Sequence, residues 1–189
     1  MLKDEDLVNE CLKNNTKAQE QLYKRFASKM YGICLRFVRY RIEADDILQD
    51  GFVKVFENLK YFRADGSLEG WIKRIMVNTA INYYNKNTVQ QDNETDIDSP
   101  GSMGQNELID ENIISHISRN ELLEIINELA DGYRMVFNLY VIDGYNHKEI
   151  GEIMNISENT SKSQLSRARK ILQEKILKRS EILADYKTY

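Results

Sequence analysis

Four side chains near the C-terminus have the types and spacing of a DNA-reading helix face: Lys162, Ser163, Ser166 and Arg167. At helical spacing they share one side of an α-helix. Hydroxyl, ammonium and guanidinium groups near a helix N-terminus hydrogen-bond base edges and phosphates. The spacing therefore predicts a nucleic-acid contact on this face.

The helix that carries these side chains belongs to a predicted helix-turn-helix over residues 146–170. Asn146 and Glu149 have capping-box spacing, Asn155 tolerates the left-handed backbone that ends a helix, and Ser157 can cap the second helix. In that recognition helix an inner face is predicted at Ser161, Leu165, Ala168 and Leu172. The alternative is a plain two-helix hairpin with a solvated basic face, because short patterns of this kind also occur by chance.

The formal net charge of -4 does not exclude a polyanionic partner, because the charge is unevenly distributed. Residues 1–86 hold 15 basic and 12 acidic side chains, residues 87–118 hold 7 acidic and no basic ones, and residues 119–189 hold 11 of each. Along the recognition helix a positive field is predicted to extend through Arg169, Lys170, Lys175, Lys178 and Arg179.

Cysteine usage and hydropathy indicate an intracellular protein. Cys11 and Cys34 lack CxxC or zinc-ligand spacing, so we expect small buried apolar residues in a reducing compartment. The longest apolar stretch, around residues 135–142, is too short to span a bilayer, and residues 1–10 lack the apolar core of a signal peptide. We therefore expect a cytoplasmic protein without membrane insertion.

Helical periodicity covers nearly the whole chain, and strand signals are almost absent. A first long helix is predicted to start with a capping box at Thr16 and Gln19, and a second near Glu43. A third is predicted over residues 68–84, with Trp71 in the core. Its other face carries three polar side chains one helical repeat apart, namely Arg74, Asn78 and Asn82.

Between residues 87 and 117 the helical pattern gives way to a polar, acidic segment with the only proline, Pro100. Helical periodicity resumes at about residue 117. The sequence thus predicts an all-α protein of two small helical domains, residues 1–86 and 118–189, joined by a flexible acidic linker, residues 87–117.

The first domain carries a second motif, EADDILQDGFVKVFENLKYF at residues 43–62, followed by RADGSLEGWIKRIMVNTAIN at residues 63–82. An acidic, glutamine-bearing helix start precedes an aromatic loop and a tryptophan-led helix that ends in Asn-Thr-Ala. With the distal helix-turn-helix, this order resembles the extracytoplasmic-function (ECF) group of bacterial sigma-70-type sigma factors. The resemblance covers both domains and implies a sigma region 2 bundle followed by a sigma region 4 helix-turn-helix.

The resemblance implies a protein that binds core RNA polymerase and directs promoter-specific transcription initiation through the minus-10 and minus-35 elements. It implies docking on the clamp helices of the largest polymerase subunit by Asp45, Asp46, Gln49 and Asp50. It implies minus-10 contacts by Phe62, Arg63, Asp65, Ser67, Arg74, Asn78 and Asn82. The minus-35 contacts fall to Lys162, Ser163, Ser166 and Arg167. Further implied partners are the polymerase flap and an anti-sigma factor.

Some of these residues also have simpler explanations. Asp45 and Asp46 suit the dipole at a helix start, and Phe62 can be a core residue. The acidic linker is explained equally well as RNA mimicry inside polymerase or as a solvated tether. Two positions depart from the family pattern. Ser161 stands where valine is usually buried, which suggests a looser core or a shifted helix, and Gln164 stands where arginine usually adds a phosphate or base contact.

No group of residues supports catalysis or a cofactor. His116 and His147 are far apart in the chain, and each is expected to be a surface or cap residue. There is no phosphate-cradling glycine loop, and Asp96 and Asp98 lie in the linker, so we predict no enzyme, metal or cofactor. The main alternative is a helix-turn-helix transcriptional regulator with an N-terminal sensing or dimerisation domain, which leaves residues 43–82 unexplained.

Overall fold

The computed structural model describes residues 3–90 and 118–186, and the regular structure in these two ranges is helical. The all-α prediction is confirmed. The chain divides into two compact units, residues 1–91 and 92–189. A helix extends to Gln90, past the predicted helix end at residue 84 and the predicted linker start at residue 87, and the rest of the predicted linker lies outside the described residues. No described helix combines the length and the apolar character needed to cross a membrane.

The first unit is a bundle in which three helices pack against one another and a fourth packs on its side. The helices in its described part are α1 (Asp4–Leu12), α2 (Thr16–Cys34), α3 (Arg41–Asn58) and α4 (Leu68–Gln90). A short 3-10 turn, Leu59–Tyr61, follows α3. The long helices α2, α3 and α4 form the bundle, and α1 packs on α2.

The start of α2 differs from the prediction. Asn15 is the capping residue, and its Oδ1 accepts hydrogen bonds from the backbone N–H groups of Lys17 at 3.1 Å and Ala18 at 3.4 Å. The predicted Thr16–Gln19 capping box is therefore wrong. The chain enters the helix through Asn14, which takes a left-handed φ of 59°, so the residue after it caps the helix.

The core of the first unit fixes the relative positions of α3 and α4. Gly51 allows a close approach, because a Cβ at this position would lie 2.3 Å from Sδ of Met76. Cys11 and Cys34 are buried free thiols, as predicted, and burial raises the pKa of Cys34 to about 12. The thiols therefore act as small apolar groups.

The second unit contains, in its described part, α5 (Arg119–Asn127), α6 (Asp131–Phe137), α7 (His147–Met154) and α8 (Glu158–Tyr186). A π-helical turn, Asn138–Ile142, follows α6. Helices α6 and α7 both pack against α8. One apolar cluster joins α8 to α5 and the residues just after it, through Ile125, Ile126, Leu129, Ala168, Leu172 and Ile176.

A buried guanidinium group holds the turn between α5 and α6. Arg134 is 3% exposed, and its Nη1 donates to the carbonyl oxygens of Asn127 at 3.3 Å and Leu129 at 3.2 Å. Its Nη2 lies 2.9 Å from Oδ1 of Asp131. Because these acceptors satisfy the arginine inside the unit, it stabilises the entry into α6.

Candidate nucleic-acid interface

A cavity of about 470 Å³ opens in the first unit where the 3-10 turn, the following loop and the start of α4 meet. Aromatic rings of Tyr61, Phe62 and Trp71 line it. The guanidinium-bearing side chains of Arg63 and Arg74 also line it, and neither forms an ion pair within the described part of the chain. A concave site with aromatic walls and free positive charge suits an unstacked base with its phosphate.

The local conformation of the loop shapes this cavity. Ala64 has a left-handed φ of 57°, which turns the chain sharply before α4. Ser67 then caps α4, because its Oγ accepts a hydrogen bond from the backbone N–H of Gly70 at 3.1 Å. The cavity thus brings together five of the predicted minus-10 residues, namely Phe62, Arg63, Asp65, Ser67 and Arg74.

The prediction that Trp71 belongs to the core is wrong. The indole is only half-buried and lines the cavity, with its ring centroid 5.6 Å from that of Phe62. The reason is that Leu68 and Ile72, both 0% exposed, take the core side of the first turn of α4. Trp71 consequently faces the loop.

Asn78 and Asn82 do not line the cavity but continue the exposed face of α4 beyond Arg74. The opposite face holds the helix in place. Thr79 is 4% exposed, and its Oγ1 accepts from Nζ of Lys54 at 3.2 Å and donates to the carbonyl of Ile75 at 2.8 Å. The helix therefore presents an amide face next to an aromatic cavity.

The predicted polymerase-docking residues of α3 are all exposed: Asp45, Asp46, Gln49 and Asp50. Within the described residues, none of the three carboxylates forms an ion pair. Two apolar side chains flank them on the same helix, Ile42 at 67% and Val53 at 53% exposure. Sequence reasoning missed this pair, although its helical spacing from Asp46 and Gln49 was visible. Free acids between exposed apolar groups form a surface suited to a protein partner.

A tyrosine joins the docking helix to the helix of the cavity. The hydroxyl of Tyr83 on α4 donates to Oε1 of Glu43 on α3 at 3.3 Å, and burial raises the pKa of Tyr83. The other carboxylate oxygen of Glu43 accepts from the backbone N–H of Tyr40 at 3.0 Å. One carboxylate therefore serves both the α3 start and the α4 contact.

The helix-turn-helix of the second unit has the predicted caps. Oδ1 of Asn146 accepts from the backbone N–H of Glu149 at 3.0 Å, and the carboxylate of Glu149 accepts from the backbone N–H of Asn146 at 2.8 Å. Asn155 takes a left-handed φ of 55°. Oγ of Ser157 accepts from the backbone N–H of Thr160 at 2.9 Å. Each of these local predictions is confirmed.

Gly151 makes the tight turn possible, and sequence reasoning missed it. A Cβ on this residue would lie 2.8 Å from the carbonyl oxygen of Ile156. The backbone N–H of Ile156 also donates to the carbonyl of Gly151 at 3.0 Å. A glycine inside a helical pattern was the available signal, because such a glycine often marks a close backbone approach.

The recognition helix is α8, and three of its four predicted minus-35 side chains point outward. Lys162, Ser163 and Ser166 are exposed, and Nζ of Lys162 lies 2.6 Å from a carboxylate oxygen of Glu158. Arg167 differs, because it is half-buried and its Nη1 donates to the hydroxyl of Tyr133 at 3.3 Å.

The inner face of α8 carries the predicted residues, and Ser161 has a polar partner there. Ser161 is 0% exposed, and its Oγ lies 2.9 Å from Nδ1 of His147. The His147 ring stacks on Tyr140 with centroids 4.4 Å apart. His147 is therefore no simple surface or cap residue, and the serine forms a specific contact where a looser core was expected.

Gln164, at the position where an arginine usually adds a DNA contact, packs against other residues of the second unit. Its side chain is half-buried against α6, with Nε2 3.3 Å from the place that a Cβ on Gly132 would occupy. Its Oε1 is buried without a hydrogen-bond partner. Position 164 therefore faces the helix packing of the unit, because it lies between the inner residues Ser161 and Leu165 and the half-buried Arg167.

The positive field along α8 extends over fewer basic side chains than predicted. Lys175 forms an ion pair with Glu128, and Nη2 of Arg179 lies 3.0 Å from a carboxylate oxygen of Glu124. These pairs join α8 to α5 and its C-terminal end. Charges already compensated by neighbouring acids contribute less to the attraction of a polyanion.

Two known families match the chain, one in each of the two compact units. The family described as Sigma-70 region 2 matches residues 22–89, which contain the acidic face of α3 and the aromatic cavity. The family described as Sigma-70, region 4 matches residues 119–172, which contain the helix-turn-helix.

Curated relatives match nearly the whole chain. The ECF RNA polymerase sigma-E factor of Haemophilus influenzae is 28% identical over 191 residues, covering 93% of this chain and 96% of that relative. The factor of the same name from Escherichia coli is 28% identical over 182 residues, covering 93% and 95%. A solved structure of the sigma factor RpoE in complex with the anti-sigma factor NepR from Bartonella quintana is 21% identical, with a TM-score of 0.48, covering 84% of this chain and 96% of that one.

Proposed function

The chain belongs to the ECF group of sigma-70-type sigma factors, and we propose that it binds core RNA polymerase and directs promoter-specific transcription initiation through minus-10 and minus-35 elements. The observation that carries the proposal is the pairing of an aromatic cavity in the region 2 match with a helix-turn-helix in the region 4 match. A sigma factor supplies recognition and not catalysis, so the protein is not an enzyme. Its work is in the cytoplasm, and at the nucleoid when it is part of holoenzyme.

The docking surface for polymerase is the acidic face of α3. Carboxylates and an amide on an exposed helix can form charge-assisted hydrogen bonds with arginines of the clamp helices. The residues proposed for this contact are Asp45, Asp46, Gln49 and Asp50, with Ile42 and Val53 as apolar flanks. Because the three carboxylates have no ion-pair partner within the described part of the unit, docking does not need to break an internal ion pair.

The minus-10 element is proposed to bind as a separated strand. A base that leaves the stack exposes its faces and its Watson-Crick edge, so the aromatic cavity can hold it. Arg63 and Arg74 would neutralise its phosphates, while Asn78 and Asn82 on α4 can hydrogen-bond the edges of neighbouring bases.

The minus-35 element is proposed to bind as a duplex, with α8 in its major groove. Lys162, Ser163, Ser166 and Arg167 are the contact residues. Their hydroxyl and basic groups can divide contacts between base edges and phosphates. The polymerase flap and an anti-sigma factor are further proposed partners, and the segment after α4 is proposed to be the acidic linker.

Core-polymerase binding and run-off transcription test the proposal. The full chain should form a stable complex with purified core polymerase without DNA and then start transcription at discrete sites on genomic DNA. Asn78→Ala should impair promoter opening and leave polymerase binding intact, because Asn78 lies on the face of α4 and not on that of α3. Asn9→Ala, an exposed asparagine of α1, is the matched control and should have neither effect.

Two results would contradict the proposal. If the protein binds DNA tightly alone and does not bind core polymerase, it would instead be a helix-turn-helix transcriptional regulator with an N-terminal sensing or dimerisation domain. A loss of holoenzyme assembly in Asn78→Ala would show that the α4 face is misassigned.

A further inference from the structure

A buried polar contact connects the two helices of the helix-turn-helix. Nδ1 of His147, the first residue of α7, lies 2.9 Å from Oγ of Ser161 on α8. Ser161 is 0% exposed, and within the described residues its hydroxyl has no other hydrogen-bond partner. The contact spans 14 residues of sequence, so it depends on how the two helices are packed.

The chemistry of the pair favours one protonation state of the histidine. A buried hydroxyl proton without an acceptor is unfavourable, and the only acceptor for Ser161 in the described structure is Nδ1. The ring must then be neutral, with its proton on Nε2. A protonated ring would present an N–H to the serine and leave the serine hydroxyl proton without an acceptor.

The surroundings of the ring also disfavour its charged form. From the π-helical turn, the Tyr140 ring stacks on it at 4.4 Å, and Cζ of Arg169 lies 5.9 Å from the Tyr140 ring centroid. From α8, Lys162 and Arg169 oppose a positive charge, while Glu158 favours it. On α7 itself, the next residue is the exposed Lys148. Burial is the largest cause of a lowered His147 pKa, followed by the charge of Lys162.

We propose that neutral His147 is a positioning residue for the recognition helix, and that protonation of its ring weakens minus-35 binding. By accepting the hydrogen bond from Ser161, the ring fixes the place where α8 crosses α7. Lys162 and Ser163 are the next two residues, so a shift of the helix at Ser161 moves both. The inference rests on the proposed role of α8 at the minus-35 element.

The direction of the pH dependence follows from the lowered pKa. The unfolded chain binds a proton on this histidine more tightly than the folded chain does. The free energy of unfolding therefore decreases as pH falls below about 6.5, the ordinary histidine pKa, and becomes constant below the folded pKa. Minus-35 affinity should decrease as the pH falls through the lowered folded pKa of His147, because the ring of the folded chain is then protonated and the Ser161 hydrogen bond is lost.

Imidazole nitrogen NMR of the full chain tests the pair without DNA. The chain has two histidines, so the signals that disappear in His147→Asn identify His147. We expect the Nε2–H tautomer and a lowered pKa, and in Ser161→Ala the pKa should move back toward its ordinary value. An Nδ1–H tautomer, or the same titration in Ser161→Ala, would overturn the inference.

Promoter binding by holoenzyme tests the positioning role. His147→Asn places an amide near the position of Nδ1 and cannot titrate, whereas His147→Gln places the same amide near the position of Nε2. At pH 7.5 we expect the Asn variant to bind like wild type and the Gln variant to bind roughly threefold to tenfold more weakly, the effect of one lost hydrogen bond.

The pH profile separates positioning from simple stability and from a phosphate contact. Relative to His147→Asn, wild-type holoenzyme should lose affinity for a minus-35 promoter as the pH is lowered through the His147 pKa found by NMR, which we expect below the ordinary histidine value of about 6.5. A gain in relative affinity would indicate an imidazolium–phosphate contact and overturn the inference, as would equal binding by the Asn and Gln variants. If wild-type holoenzyme does not use a minus-35 element at all, the proposed function fails and the NMR result still stands by itself.

Discussion

The two candidate DNA-binding sites differ in shape. In the first unit the site is a cavity, and aromatic rings from a turn, a loop and a helix meet around an open volume. In the second unit it is the outward face of one helix, α8, supported from behind by α6 and α7. A cavity can enclose a single unstacked base, whereas a helix face can enter the groove of an intact duplex.

The sites also differ in the partners of their charged groups. Arg63 and Arg74 at the cavity have no ion pair within the described residues. Lys162 on α8 pairs with Glu158, and Arg167 donates to Tyr133. The cavity can therefore receive a phosphate without rearrangement, while the helix must exchange internal contacts for DNA contacts. This comparison predicts that changes at the cavity affect strand opening and that changes on the helix affect duplex affinity.

The largest expected effect is that of Gly151→Ala in the helix-turn-helix. The added methyl group would lie 2.8 Å from the carbonyl oxygen of Ile156, so the turn must open. We expect a loss of about 2–3 kcal/mol in stability of the second unit by thermal or urea denaturation, together with weaker promoter binding. Gly66→Ala in the cavity loop is the control, because apart from its chain neighbours no atom lies within 4 Å of its Cβ position. Equal stability of both variants would contradict the tight-turn interpretation.

A smaller effect is expected from Trp71→Ala, and it should be confined to the single strand. Loss of a stacking ring should weaken holoenzyme binding to a single-stranded minus-10 oligonucleotide by about 1–2 kcal/mol. Trp71→Phe keeps an aromatic ring and should retain most of that affinity. Binding to duplex minus-35 DNA is the internal comparison, and a comparable loss there would break the division between the two sites.

Arg167→Ala should weaken binding to duplex minus-35 DNA and leave binding to the single strand unchanged. If the guanidinium group reads a base, promoter affinity should fall by about 1 kcal/mol or more, and by less if it contacts only phosphate. Competition assays with single-base variants of the minus-35 element distinguish these cases. Tyr133→Phe removes only the hydroxyl that Arg167 contacts and should have a smaller effect. Unchanged transcription from every promoter tested would show that Arg167 is not a minus-35 contact residue.

The smallest expected effect concerns the basic side chains that already have acidic partners. Lys175→Ala should change stability by less than about 1 kcal/mol, because its ion pair with Glu128 is partly exposed. It should leave the salt dependence of promoter binding unchanged. Lys170 is exposed and forms no ion pair in the described unit, so Lys170→Ala should reduce the salt slope by about one if it contacts a phosphate. Identical salt slopes for the two variants would show that an ion pair with an acidic neighbour does not decide whether a lysine contacts phosphate.

Local signals in the sequence were sufficient for the helix-turn-helix. The capping box at Asn146, the left-handed Asn155 and the Ser157 cap each involve neighbours within three residues, so short-range chemistry decides them. The same reasoning failed at Thr16, where the preceding Asn14 takes a left-handed conformation that sequence did not reveal.

Contacts between distant segments were not predictable in this way. Trp71 has a helical spacing that suits the core, and α4 starts at Leu68 as predicted, but the indole packs beside Phe62 of the preceding loop, a contact that helical spacing does not reveal. The His147–Ser161 contact, the Arg134 contacts and the burial of Gln164 all depend on how helices of the second unit pack. The family resemblance supplied roles for α3 and α4 that periodicity alone did not supply, and it gave no indication of these tertiary contacts.

The hydrogen bond between Tyr83 and Glu43 affects how the helices of the first unit can move relative to each other. Together with the close approach of Gly51 to Met76, it ties α3 and α4 at two separate places. On the proposed docking, the clamp holds α3, and these two contacts keep α4 close to that helix. When the clamp opens or closes, α3, α4 and the cavity would then move together with it. The clamp position would therefore determine when an unstacked base of the minus-10 element can enter the cavity.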